Sequence, residues 1–442
     1  MSTFFSFVAI ICLLTLEGRL LFRLAGGTRG EKLLAWSIGY PLGTLINTAV
    51  FFVLHLLSFH FSLFSVLFIH ATLLAGLILA VRTISDTEEI LVISAPRHPV
   101  LPFWLAAVSL LLVVVTIVSA LTHVMLLPDF YWDSFTNWAM RSRQLLEAGQ
   151  LVMTGVIQPQ YPILLHALHM VQALPLGWSS TSANMGTLWL SLTGLLSTFL
   201  LLLRRYGWRA AIIVMGLLMG LPLLVIHLRQ GYADIHVGIF AVLSAALLGE
   251  AVARKNTRLL LLSALLCAAA CWTKIEALYL ALLPWLFIVL LHWRSFGSRA
   301  RVFQIIVVLL CIVSPWYFFV LAHGLPLSPH GATIAWHIQA LPILLSSLLV
   351  RGTFGVHWWV ILLMLGMTML RERLHIFSFF RTYPALLWGL SSAMLTDAAY
   401  LFTEDARGLV QGDNFSRAML LSTLLLTYGL ADLTLRRMQH ND

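Results

Sequence analysis

Apolar residues run through this chain in long blocks, and the polar residues between them fall in short clusters. Blocks near 4–25, 33–56, 61–81, 100–121, 184–203, 210–228, 235–253, 259–273, 277–293, 302–322, 354–370, 384–401 and 416–435 approach the roughly 20 residues that an α-helix needs to cross about 30 Å of hydrocarbon. The pattern predicts an all-α, polytopic membrane protein with about 13 transmembrane helices.

One stretch breaks the pattern, from Asp129 to Ala173. Between Asp133 and Glu147, Phe135, Trp138, Ala139, Ser142, Leu145 and Leu146 recur at helical spacing, while Thr136, Asn137, Arg141, Arg143, Gln144 and Glu147 take the other face. Asp133 or Ser134 suits the helix cap, and Gly149 suits the stop. A second apolar run extends only from Ile163 to about Leu174, roughly 18 Å of helix and too short to cross. Pro162 fits its first turn, and Pro175 with Gly177 ends it. Both elements read as juxtamembrane surface helices within a loop spanning 122–183.

Composition agrees with this picture: 60% of the 442 residues are hydrophobic and 10% charged, far fewer charges than a soluble domain carries. The net charge of +9 is spread over short clusters between blocks, with no long basic run for nucleic acid. If 161–176 does not cross, the clusters around Arg23, Arg82, Arg204, Arg254, Arg294, Arg371 and Arg436 all fall on one face, which basic residues mark as cytoplasmic. That makes the N-terminus external, the C-terminus cytoplasmic and 436–442 a cytoplasmic tail. Cys12, Cys267, Cys271 and Cys311 all lie within apolar blocks and read as buried thiols. The N-terminus lacks a basic region and a cleavage site, so its first block is expected to be retained.

The other face then collects the chemistry. Asp129 and Asp133 open the long loop; Gln160, Tyr161 and His166 accompany the second short helix; Asp234 starts a span; Lys274 and Glu276 occupy a turn; Arg417 follows an acidic stretch. Ionisable groups at span edges are costly and usually mark a site. Each also has a bland role: Asp133 as a cap, Asp234 paired with Arg229, Arg417 paired with Asp413, and Arg141 and Arg143 on lipid headgroups. His166 and His169 lack a carboxylate at helical spacing, so a metal site there is not supported.

The segments WDSFTNWAMRSRQLLEAG, QYPILLHAL, GYADIHVGIF, WTKIEALYL and DNFSRAMLL resemble, in this order, segments of the GT-C superfamily of integral-membrane glycosyltransferases. The resemblance covers roughly residues 100–435. It implies a GT-C-like catalytic domain over 96–435, with residues 1–95 an N-terminal addition of transmembrane helices. It also implies a multi-pass protein of the cell (inner) membrane that moves sugar from a polyprenyl-phosphate carrier to a glycan or lipid acceptor at the outer face. Its partners would be that donor, the acceptor and membrane lipids. Asp133 would be the general base, Asp234 a second carboxylate, and Lys274, Arg417 and Arg141 the donor-phosphate cations, with Asp129, Tyr161, His166 and Glu276 lining the substrate site. The chain departs from the family pattern at Ile163, where a second proline is usual, and at Ala277, where glycine is common. No Asp-x-Asp is present, so the expectation is a metal-independent reaction with no cofactor. A transporter of lipid-linked saccharides is the competing class, though no inverted repeat or paired broken spans mark the sequence. An O-antigen ligase or polymerase would rely on His and Arg without a carboxylate base.

Overall fold

The structure is a computed structural model that describes residues 2–26, 31–83, 101–127, 133–327, 336–350, 353–371, 381–403 and 414–441. In chain order the helices are α1 (Ser2–Leu24), α2 (Lys32–Leu56), α3 (Leu63–Thr83), α4 (Phe103–Leu126), α5 (Arg141–Ala148), α6 (Leu164–Ala173), α7 (Ser180–Tyr206), α8 (Trp208–Met219), α9 (Pro222–Gln230), α10 (Ala233–Arg254), α11 (Thr257–Thr273), α12 (Leu283–His292), α13 (Arg299–Ala322), α14 (Leu341–Leu349), α15 (His357–Arg371), α16 (Pro384–Phe402) and α17 (Asn414–Asn441). Single π-helical turns, Ser134–Met140 and Leu278–Leu282, lead into α5 and α12.

Every apolar block in the sequence is helical. Among the described residues, nine helices are long and apolar enough to cross a membrane. The 210–228 block forms a bent helix pair, with the geometry of a broken span or a re-entrant loop: α8 and α9 meet at 77°, because Pro222 cannot continue the α8 hydrogen-bond ladder. The blocks near 259–273, 277–293 and 354–370 form shorter helices, and α14 is a short helix the sequence pattern did not single out. This is a polytopic, all-helical membrane protein.

The ladder of spans winds around α10, whose apolar window is 94% buried; α2 and α17 follow at 83%, while α3 and α4 are 11% and 22% buried and face outward. Small residues permit the closest crossings, as in membrane helix pairs generally. A Cβ on Gly18 of α1 would meet the Gly39 carbonyl of α2, and one on Gly43 would meet the Leu14 carbonyl. Local signals set the ends. Asn256 caps α11, accepting from the amides of Arg258 (2.8 Å) and Leu259 (3.3 Å), and Ser179 caps α7 by accepting from Ser182 N at 3.3 Å.

Two expectations are corrected here. The helix α6 is not a surface helix, since all ten of its residues are buried, packed among α2, α5, α7 and α11. The segment before α5 also departs from the regular α pattern. Its π-turn inserts an extra residue and rotates the side chains beyond it, so Arg141 is buried while Phe135 is half exposed. Of the two arginines only Arg143, paired with Glu147 at 2.7 Å, stays on the exposed face.

Candidate functional site

At one end of the bundle five chain segments meet: the start of the Ser134–Met140 turn, the loop before α6, the α9–α10 corner, the α11–Leu278 turn and the first turn of α17. Each brings an ionisable or aromatic side chain, and these side chains touch.

Asp234, in the first turn of α10, is the hub. Its Oδ1 accepts from Lys274 Nζ at 2.8 Å, and its Oδ2 from Arg417 NH2 at 3.1 Å and Nε at 3.3 Å. Arg417 NH1 also donates to Asp133. Lys274 Nζ lies 3.2 Å from Glu276 Oε1, and that oxygen accepts from the Tyr161 hydroxyl at 3.2 Å. A continuous chain thus runs Tyr161–Glu276–Lys274–Asp234–Arg417–Asp133. The Arg417 guanidinium lies 4.7 Å from the Tyr232 ring centroid, and the Lys274 ammonium lies 6.0 Å from that of Tyr161. These distances suit cation–π attraction. Burial disfavours the charged form of Lys274, but Asp234 and Glu276 outweigh it and raise its pKa; burial first, then Glu276 and Asp234, push the Tyr161 phenol well up. Both groups keep their protons at neutral pH.

Part of this cluster borders a small, open cleft. Asp234, Lys274, Glu276 and Arg417 form its polar side, and Val237, Leu280 and Leu421 its apolar side. A charged mouth above an apolar wall can hold the polar head of an amphiphile whose tail stays in hydrocarbon.

Several sequence expectations meet a different arrangement. Asp133 does not cap its helix: its backbone is already helical and its side chain makes no cap bond, which frees the carboxylate for Arg417. Asn137, one turn on, donates to Asp133 Oδ1 at 3.3 Å, while Ser134 Oγ donates to the Gln230 carbonyl and ties this turn to the α9–α10 corner. Asp234 is not paired with Arg229, whose NH2 goes to Ser119 of α4. Asp129 and Asp413 lie outside the described residues.

Two candidates stand apart from the cleft. Arg141 donates to the carbonyls of Gln158 (2.9 Å), Tyr161 (3.0 Å) and Pro159 (3.0 Å). Burial lowers its pKa to about 9, so it is charged at neutral pH with its fork engaged. It reaches the site only through Tyr161. His166 is fully buried and stacked on Trp138, 5.3 Å between centroids, with Nδ1 2.9 Å from Ser142 Oγ. His169 Nδ1 shares that hydroxyl at 3.0 Å. Among the described residues no three His, Cys, Asp or Glu side chains group as metal ligands would.

The sequence reading missed Tyr232 and Trp138, the latter stacked under Tyr161 at 5.7 Å. A signal existed for the first, since Tyr232 stands two residues before Asp234 at the head of α10. For Trp138, one of many aromatics in the chain, spacing gave none.

Among the described residues this many-spanned, all-helical bundle has a GT-C-type fold. The chain is similar to the crystal structure of ArnT from Cupriavidus metallidurans in the apo state, with a TM-score of 0.51 and 18% identity over 74% of this chain and 59% of that one. At that identity the likeness is one of fold, and the chain spans 59% of the length of the ArnT structure. No protein-family model and no curated protein sequence matches the chain.

Proposed function

We propose that this protein is a membrane glycosyltransferase that moves a sugar from a polyprenyl-phosphate donor to an acceptor hydroxyl at the outer face of the cell membrane, with inversion at the anomeric carbon. The observation that carries the reading is the convergence of Asp133, Asp234, Lys274 and Arg417, from four distant parts of the chain, in one ion-paired cluster, three of whose members line a cleft with an apolar wall while Asp133 joins them through Arg417. The GT-C fold supports it. A carrier for lipid-linked saccharides would instead place its charges near the midplane.

The chemistry rests on the residue types. Asp133 takes the proton of the acceptor hydroxyl, whose oxygen forms the new bond to the anomeric carbon. The bond from that carbon to the phosphate oxygen breaks, and its electron pair leaves with the carrier phosphate. Lys274 and Arg417, in a partly dry cleft, stabilise the charge gathering there. Asp234 holds both cations and orients the acceptor. Arg141, first expected on the donor phosphate, here sets the loop that presents Tyr161. The orientation drawn from the basic clusters, with the N-terminus external and the C-terminus cytoplasmic, is part of this reading, and it puts the cleft on the external side.

The test is a transfer assay in membranes with a panel of polyprenyl-phosphate sugars. Wild type should transfer at least one of them, and Asp133→Asn should lose about a hundredfold or more, the usual contribution of a positioned general base. Intact transfer by a folded Asp133→Asn protein would remove Asp133 from the role of base.

A further inference from the structure

Three carboxylates of the cluster (Asp133, Asp234 and Glu276) face two cations, Lys274 and Arg417, and every one of these groups is already paired within it. A phosphate cannot simply add to such a set, because it brings negative charge to cations that carboxylates already occupy. One carboxylate has to give way.

The geometry selects which. Asp234 is held by Lys274 and by two nitrogens of Arg417, its side chain is 4% exposed, and it sits on the most deeply buried of the long apolar helices. Glu276 lies between Lys274 and the Tyr161 hydroxyl and is not bonded to Arg417. Asp133 meets Arg417 through NH1 alone, its side chain is 25% exposed, and it stands just before a π-helical turn. It is the carboxylate most easily displaced. As long as it is bound to Arg417, the oxygen that would take the acceptor's proton is engaged by a guanidinium.

We propose that the Asp133–Arg417 ion pair is a latch operated by the donor. The carrier phosphate replaces Asp133 on Arg417, and the released carboxylate becomes free to act on the acceptor hydroxyl. Donor therefore binds before acceptor, and the base stays engaged until there is a sugar to transfer. No bond is made or broken in this step; one anion replaces another on Arg417. The latch rests on the glycosyl-transfer reading for the identity of the ligand as a carrier phosphate.

The experiment measures binding of a polyprenyl phosphate without sugar to purified full-length protein in lipid nanodiscs. Wild type is compared with Asp133→Asn and Asp133→Ser, which remove the competing charge, and with Asp133→Glu, which keeps it. The neutral variants should bind about tenfold more tightly, the scale of one charge-assisted hydrogen bond, and Asp133→Glu should stay near wild type. Binding by wild type that neither neutral variant tightens overturns the latch and leaves the transfer reading standing. No binding by wild type or any variant overturns both. Two neutral variants of different size guard against one failing to fold, and a melting curve in the same nanodiscs checks each.

Discussion

Arg141 shows how one residue changes role between sequence and structure. Read by helical spacing it belongs on a headgroup-facing stripe, yet its guanidinium holds three carbonyls of the Gln158–Tyr161 loop. Arg141→Met should cost about 3 kcal/mol of stability, because it removes charge-assisted hydrogen bonds and leaves buried carbonyls unpaired. Denaturant unfolding in detergent would measure this. Arg141→Lys should recover only part, since an ammonium lacks the planar fork, and a Met variant as stable as wild type would contradict the assignment. Transfer should fall with it, as Tyr161 leaves Glu276. The candidate carboxylates and cations were legible as residue types because ionisable groups are conspicuous in a chain with 10% charge. Which of them touch was not, because pairing depends on side-chain reach across segments far apart in sequence.

The helix α6 and the turn-plus-helix that packs on it, Ser134–Ala148, meet through a polar contact. Ser142 Oγ donates to the Trp138 carbonyl, so it accepts from His166 and His169, which places a proton on each Nδ1. Burial lowers the pKa of His166 well below its ordinary value and that of His169 to about 3, with His236 adding to the latter. These shifts fix the sign of the pH dependence. An unfolded chain protonates a histidine below about pH 6.5, and the folded protein does so only at much lower pH, so the unfolded state gains protons and stability falls as pH drops. The loss should approach 1.4 kcal/mol per pH unit for each histidine below about pH 6. Unfolding measured from pH 7 to 4.5 would show it, and His169→Gln should remove about half of this share of the slope; an unchanged slope would mean His169 is not held neutral. At this scale the sequence pattern predicted the existence, length and ends of α6 correctly, because proline and glycine punctuate locally. It missed the burial of α6 on all sides, since a run too short to cross can lie on the surface or inside the protein.

For the molecule as a whole, residues 1–95 were expected as an addition to a GT-C-like domain over 96–435. Of the helices in that stretch, the first and third are largely exposed on the outside of the bundle. The second does not stand apart: α2 packs against α6, α7 and α11, and Phe52 lies 5.4 Å from Trp272 and 6.2 Å from Trp316, centroid to centroid. A chain lacking 1–95 should therefore fail to give a monodisperse folded protein, and size-exclusion chromatography in detergent would show aggregation. A well-behaved truncated protein that still binds polyprenyl phosphate would make α2 dispensable.

The amino-acid sequence by itself determined that this is a polytopic helical membrane protein, its succession of apolar blocks, and that the run from 163 to 174 is too short to cross. These are local properties: hydrophobicity over about 20 residues and helix punctuation by Pro, Gly and Asn are read wherever they occur. Only the tertiary structure decided that Arg417 bridges Asp133, 284 positions away, and Asp234, 183 positions away, that Arg141 is withdrawn from the cleft, and that Tyr232 supports the guanidinium. Those outcomes depend on how helices cross and where a π-turn rotates a side chain. No one-dimensional pattern encodes a contact between two loops that the membrane-spanning helices alone bring together.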